Sequence, residues 1–185
     1  MMKFLPEVAA FLSVISLCAA ASGTRVTTDQ GIERDITKKD HTTTFLYAND
    51  LSGCTVLAAH WPEKTGSSGG YKSSLFIHVC QTTLGDVTKF KTFMEDKGKS
   101  EGKSIHDRLQ TLTNGATLQP EQTWLVYKVK SDGEESSPVG NKNMKNYIAG
   151  WGIKVTNTAT YKAINAEARA EQDPYEAKAI LVSDH

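Results

Sequence analysis

Ser73-Ser-Leu-Phe-Ile-His-Val-Cys80 reads as a strand buried on both sides. Leu75, Ile77 and Val79 fall on one side of the pleat, and Phe76, His78 and Cys80 on the other. A strand with apolar groups on both sides belongs in the middle of a sheet that is covered twice. A second apolar run, Cys54-Thr-Val-Leu-Ala-Ala-His-Trp61, opens on a cysteine where the first closes on one. The expectation is that these two strands lie side by side, with a disulfide joining Cys54 and Cys80.

The flanking sequence supplies the rest of an α+β fold. Thr42 to Ala48 is β-branched and aromatic, and Asn49-Asp-Leu-Ser-Gly53 is a turn by composition, so an antiparallel hairpin with Cys54–Trp61 is expected. Pro62 ends that strand, and Thr65-Gly-Ser-Ser-Gly-Gly70 reads as a loop. This loop opens a strand and lacks a Gly-Lys-Ser/Thr ending, so it is not read as a phosphate cradle. After Cys80 the period changes. Asp86 caps a helix with Val87, Phe90, Phe93 and Met94 at helical spacing and Gly98 as its stop. A second helix runs from about Lys103 to Thr113, with Ile105, Leu109 and Leu112 on one face and Asn114-Gly115 closing it.

Glu121 to Lys130 predicts a strand, and Asp132 to Pro138 a polar turn. Tyr147 to Thr156 reads as a further strand, with Gly150 and Gly152 marking a bulge or close packing. Alanine-rich Thr158 to Glu171 reads as a helix, with Tyr161, Ile164 and Ala168 on one stripe, and Ala177 to Ser183 as a last strand. The sum is a mixed or antiparallel sheet of five to six strands with two to three helices and one disulfide. The helices are expected on one face of the sheet.

The start of the chain has another character. Met1-Met-Lys-Phe-Leu-Pro-Glu7 carries one lysine, and Val8 to Ala20 is an apolar run ending in Cys-Ala-Ala. A basic start, an apolar centre and small residues at the end are the order of a secretory signal, here residues 1–21. The run of about 13 residues falls short of the roughly 20 that span a bilayer. Leu17 stands where a lipoprotein signal wants a small residue, so Cys18 is expected to leave with the signal. Residues 22–40 are polar, with Val26, Ile32 and Ile36 as the apolar points, and read either as a flexible leader or as an edge strand on the domain at 41–185. Lys38-Lys39 is either a processing site or solvated surface.

Two cysteines then remain in an oxidising compartment, for which one disulfide is the natural account and two buried thiols the alternative. Closing a loop of about 27 residues stabilises by roughly 3 kcal/mol in the chain-entropy model. Lys plus Arg and Asp plus Glu both number 21. That balance argues against general nucleic-acid binding, which favours an excess of basic charge. No Asn-x-Ser/Thr sequon occurs.

Chemistry-bearing motifs are sparse. His41, His60, His78 and His106 lie at least 18 residues apart, unlike the ligand spacings of a zinc site on one element, and no metal or cofactor is expected. Gly-x-Ser-x-Gly and His-Glu-x-x-His are absent. The parts for a ribonuclease-like hydrolase exist in His60 or His78 with Glu63 or Glu121. For a small-ligand module, Trp61, Tyr71, Trp124, Tyr127 and Trp151 are the aromatic candidates. Trp61, ahead of the Gly/Ser loop, and Tyr71, just after it, are the candidate binding residues.

The signal-like Met1–Ala21, the polar leader to Lys39 and a compact domain with only Cys54 and Cys80 give the chain a likeness in character. It resembles the small secreted effector proteins of plant-pathogenic fungi. The resemblance implies a virulence protein secreted to act on a host, usually by binding a host protein and often without enzymatic activity. The cysteine count departs from the disulfide-dense apoplastic type, which points towards translocation into host cells.

Overall fold

The structure, a computed structural model, describes residues 22–37, 44–61, 71–97, 100–163, 165–172 and 177–183. The signal-like stretch 1–21, Lys38-Lys39, His41, Glu63 and the Thr65–Gly70 loop lie outside the described residues.

The fold is α+β, with two mixed sheets and helices stacked in three layers. A five-stranded sheet has the order β2-β5-β4-β6-β7, from β2 (Gln30–Thr37), β4 (Thr55–Trp61), β5 (Tyr71–Val79), β6 (Gln122–Lys128) and β7 (Asn157–Tyr161). A four-stranded sheet has the order β1-β3-β8-β9, from β1 (Ser22–Arg25), β3 (Thr44–Ala48), β8 (Glu167–Gln172) and β9 (Ala177–Ser183). The single expected sheet of five to six strands is thus corrected to two sheets holding nine strands among the described residues. Strands β4 and β5 are neighbours, as expected, and run antiparallel, with Thr55 opposite Val79 and Trp61 opposite Ser73.

Alternation along the central strands builds both interfaces. Leu57, Ala59 and Trp61 of β4, Leu75, Ile77 and Val79 of β5, and Leu125 of β6 face the helices. Val56, Ala58, Phe76 and Val126 face Leu46, Ala48 and Ala168 of the four-stranded sheet. Among the described residues the helices are α1 (Gln81–Leu84), α2 (Val87–Thr92, continued by a π-helical turn at Phe93–Lys97), α3 (Ile105–Thr113) and α4 (Pro138–Ala149). Asp86 caps α2 by accepting from the Thr88 and Lys89 amides at 2.9 and 3.0 Å. A capping box of Ser104 and Asp107 starts α3, and Asn114, at φ 46°, ends it.

Three expectations fail, each for a reason of tertiary origin. Tyr147–Thr156 is not a strand: Tyr147 to Ala149 end α4, Gly150 caps it, and Gly152 turns at φ 76°. Strands β6 and β7 are parallel, and a parallel pair needs a long crossover, which α4 supplies on the helical side. Thr158–Glu171 is not a helix but parts of β7 and β8, with Ala166 just before β8 and Ala168 within it buried at a spacing of two in the core between the sheets. The Thr42–Ala48 and Cys54–Trp61 runs do not form a hairpin. The turn between them, with Asp50 at φ 57° and Gly53 at φ 133°, carries the chain from one sheet to the other. Residues 22–37 take the edge-strand alternative: β1 and β2 are edges of the two sheets, with Val26 and Ile32 buried.

Among the described residues no helix is long and apolar enough to cross a membrane.

Candidate functional site

Where β4 begins and β5 ends, the fold gathers Cys54, Cys80, His78 and Asp29. The register places Thr55 opposite Val79 as the last pair of the ladder, and Cys54 and Cys80 are the residues that immediately flank that pair. Both pack into the core between the sheets. Cys54 is buried at 7% exposure, while Cys80 is half-buried. The Cys54 carbonyl accepts from the buried Tyr161 hydroxyl at 2.6 Å, which fixes the start of β4 against the end of β7.

Asp29 sits in the turn between β1 and β2 at φ 57°, a left-handed conformation that Asp tolerates better than most residues. From there its carboxylate reads the Cys80 position three ways. It accepts from the Cys80 amide at 2.9 Å, from the Cys80 thiol at 3.4 Å and from the Thr83 hydroxyl at 3.1 Å. The Thr82 and Thr83 hydroxyls lie 3.1 and 3.2 Å from the same sulfur. Cys80 is therefore turned towards Asp29 and α1. The expected Cys54–Cys80 disulfide is not formed in this structure, and both thiols are free.

Burial and the Asp29 carboxylate keep the Cys54 thiol protonated, and burial keeps the His78 ring neutral. Burial first, then the neighbouring Cys80 and Asp29, push the Cys54 thiol up to about 11. Burial also lowers His78, against the opposing pull of the Val26 carbonyl and Asp29. The Val26 carbonyl can only accept, so His78 Nδ1, at 3.1 Å, carries the proton. Its Nε2 is then a bare acceptor, buried without a hydrogen-bond partner. A protonated thiol beside a neutral imidazole is not the ion pair that activates a cysteine nucleophile. What the arrangement can do is thiol–disulfide chemistry.

The other candidates are dispersed. His60 and His78 share one face of the central sheet, but His60 pairs with Ser74, four residues from His78 on β5. At a strand rise of about 3.4 Å per residue that separates them by roughly 13 Å. His60 is enclosed, its Nδ1 2.7 Å from the Ser74 hydroxyl. Glu121 meets His60 only through the main chain, its amide donating to the His60 carbonyl at 2.7 Å, and its side chain is exposed. Trp61, expected near the surface as an interaction residue, is instead buried at 4% in the helical-side core. Tyr71 begins β5. Trp124 packs between the sheets while Tyr127 and Trp151 pack under the helices, so these rings do not line one pocket. Among the described residues no group of three or more His, Cys, Asp and Glu is placed to hold a metal ion.

Sequence reasoning missed Asp29 and the network Thr55–Asn141–Glu135. The Thr55 hydroxyl donates to Asn141 Oδ1 at 2.8 Å, and Asn141 Nδ2 donates to Glu135 at 2.9 Å. A signal for that helix existed in Pro138 followed by Met144, Tyr147, Ile148 and Trp151 at helical spacing.

Comparison with protein-family models and with curated proteins yields no match for this chain.

Proposed function

We propose that this chain is a secreted, effector-like protein that acts by binding a host protein. The observation that supports this reading over a ribonuclease-like hydrolase is the placement of His60 and His78. General acid–base catalysis needs each group within hydrogen-bond reach of the proton it moves on a substrate. Here both rings are enclosed in the layer between the sheets and lie far apart, whereas Glu121 is exposed. The helical layer, by contrast, turns large apolar side chains outwards. Val87 at the start of α2 is 65% exposed and Val139 at the start of α4 is 61% exposed. Exposed apolar groups on a rigid helical layer suit a protein partner better than a polar substrate.

The test compares the purified chain with Val87→Glu and Val139→Glu in affinity capture from plant leaf extract, alongside an RNA-cleavage assay. The reading expects a specific partner retained by the parent chain and lost in variants that melt at the same temperature. It fails if the chain cleaves RNA and His60→Gln or His78→Gln abolishes the cleavage.

A further inference from the structure

We propose that Cys54 and Cys80 form a redox-responsive pair in which half-buried Cys80 is the entry thiol and buried Cys54 the resolving one. The register carries the inference. Residues directly opposed in an antiparallel pair have Cα atoms about 4.5 or 5.5 Å apart, and both values fall within the roughly 4.4–6.8 Å that a disulfide accepts. The last pair of the ladder is Thr55 with Val79, and continuing that register by one residue would set Cys54 against Cys80, whose charge is felt at the Cys54 thiol. Both also lie in the same inter-sheet core. Closing the bond therefore requires a side-chain rotation at Cys80 and little movement of the strands.

Accessibility sets the order of events. Cys80 is half-buried and its thiol donates to Asp29 at 3.4 Å, whereas Cys54 lies beneath it at 7% exposure, anchored through its carbonyl to Tyr161. The oxidant is a small disulfide, RSSR. The Cys80 thiol loses its proton to solvent and its sulfur attacks RSSR, breaking the S–S bond and releasing one RSH after protonation. The Cys54 thiol then loses its proton and attacks the Cys80 sulfur of the mixed disulfide, releasing the second RSH. Two protein thiols are oxidised to one disulfide and RSSR is reduced to two RSH. When the Cys80 sulfur turns to Cys54 it gives up its own contacts with Thr82, Thr83 and Asp29, while the Cys80 amide and the Thr83 hydroxyl keep their bonds to the Asp29 carboxylate. The inference rests on the strand register and not on what the chain binds.

The experiment uses the full chain with Cys18→Ser, which leaves Cys54 and Cys80 as its only thiols. The native protein is incubated with glutathione disulfide and followed by mass spectrometry. The parent is expected to lose two hydrogens and retain no glutathione, and to regain both thiols on reduction. Cys54→Ser is expected to hold one glutathionyl group at Cys80, while Cys80→Ser takes up glutathione at Cys54 more slowly. Cys54→Ala serves in place of Cys54→Ser if circular dichroism shows that the serine variant is unfolded. The proposal is overturned if the native parent keeps two alkylatable thiols under conditions that oxidise the denatured chain. Its order of events is overturned if the adduct forms on Cys54 of Cys80→Ser as fast as on Cys80 of Cys54→Ser.

Discussion

The Thr55 hydroxyl donates to the Asn141 side-chain oxygen at 2.8 Å, and this buried bond ties helix α4 to the central strand β4. Asn141 spends its amide on Glu135 at 2.9 Å, so both ends of one side chain are used. Replacing Asn141 by alanine leaves the Thr55 hydroxyl enclosed without that acceptor. The expected cost is about 1–3 kcal/mol, read as a lower urea midpoint at unchanged slope. Lys142→Ala, one residue along and exposed, is expected to leave the midpoint within about 0.5 kcal/mol.

Two glycines mark where helices approach their neighbours too closely for a side chain. A Cβ on Gly140 would stand 2.6 Å from Ser137 Oγ and 2.8 Å from Leu84 Cγ, and one on Gly31 would stand 2.5 Å from Ile105 Cγ1. Gly140→Ala and Gly31→Ala are each expected to destabilise by about 1–3 kcal/mol through overpacking. Gly102→Ala would meet nothing within 4 Å, and is strained only by its φ of 74°. Thermal melts of the three variants separate crowding from backbone strain.

Arg108 is the charge buried most deeply in the helical layer. Its guanidinium lies 3.5 Å from Glu33 of β2 and 3.8 Å from Glu101, and it donates to the Ser100 carbonyl. Arg108→Ala removes one partner of an enclosed pair and is expected to cost about 3–5 kcal/mol. Combining Arg108→Met with Glu33→Leu is expected to recover much of that loss, because the double change leaves no enclosed charge at that contact. Equilibrium unfolding of Arg108→Met, Glu33→Leu and the double variant gives the coupling energy.

Two buried groups set opposite pH limits on stability. Burial, opposed by Asp29 and the Val26 carbonyl, lowers His78 from an ordinary value of 6.5, so below about that pH the unfolded chain binds a proton that the folded chain does not. Stability is then lost as pH falls below 6.5, and His78→Gln is expected to flatten the decline. Cys54 runs the other way: its thiol is raised from 9.0 to about 11, so the folded chain keeps a proton that the unfolded chain releases. Stability is expected to fall between pH 9 and about 11, and Cys54→Ala to remove that slope. Melting temperatures across both windows check the two signs.

Much of the central layer was legible because its strands carry apolar residues on both sides at a period of two, as in Val56 to Ala58 and Leu75 to Val79. The capped helices were legible as well: Asp86 is a local signal whose partners lie within three residues, and Asn114 ends α3 where the Asn-Gly pair predicts a stop. Val87, however, was placed on the apolar stripe of its helix and is 65% exposed, because α2 is short and turns into a π-helical segment. The segments that misled did so where local preference and tertiary demand disagree. Alanines at 166 and 168 favour a helix locally, yet their small side chains let two sheets approach, and a sheet was built. Tyr147 to Val155 carries strand-like residues, yet the parallel pairing of β6 with β7 required a crossover. Asp29 was invisible because nothing in a polar turn announces that Cys80, far along the chain, will donate to it. No local signal brings together the candidate site either: Cys54 and Cys80 were marked by residue type, whereas their turned-away thiols depend on that distant carboxylate.

The four-stranded sheet draws β1 and β3 from the beginning of the described chain and β8 and β9 from its end. That order has a consequence for synthesis. As the chain leaves the ribosome, the central five strands and their helices can assemble in sequence, but the outer sheet cannot close until its last two strands have emerged. Until then only β1 and β3 lie over Val56, Ala58 and Phe76, and the nascent chain carries an apolar surface that β8 and β9 complete. The time between the emergence of β3 and the arrival of β9 is therefore the interval in which a holding chaperone matters most, and a chain stopped before Glu167 would never leave it.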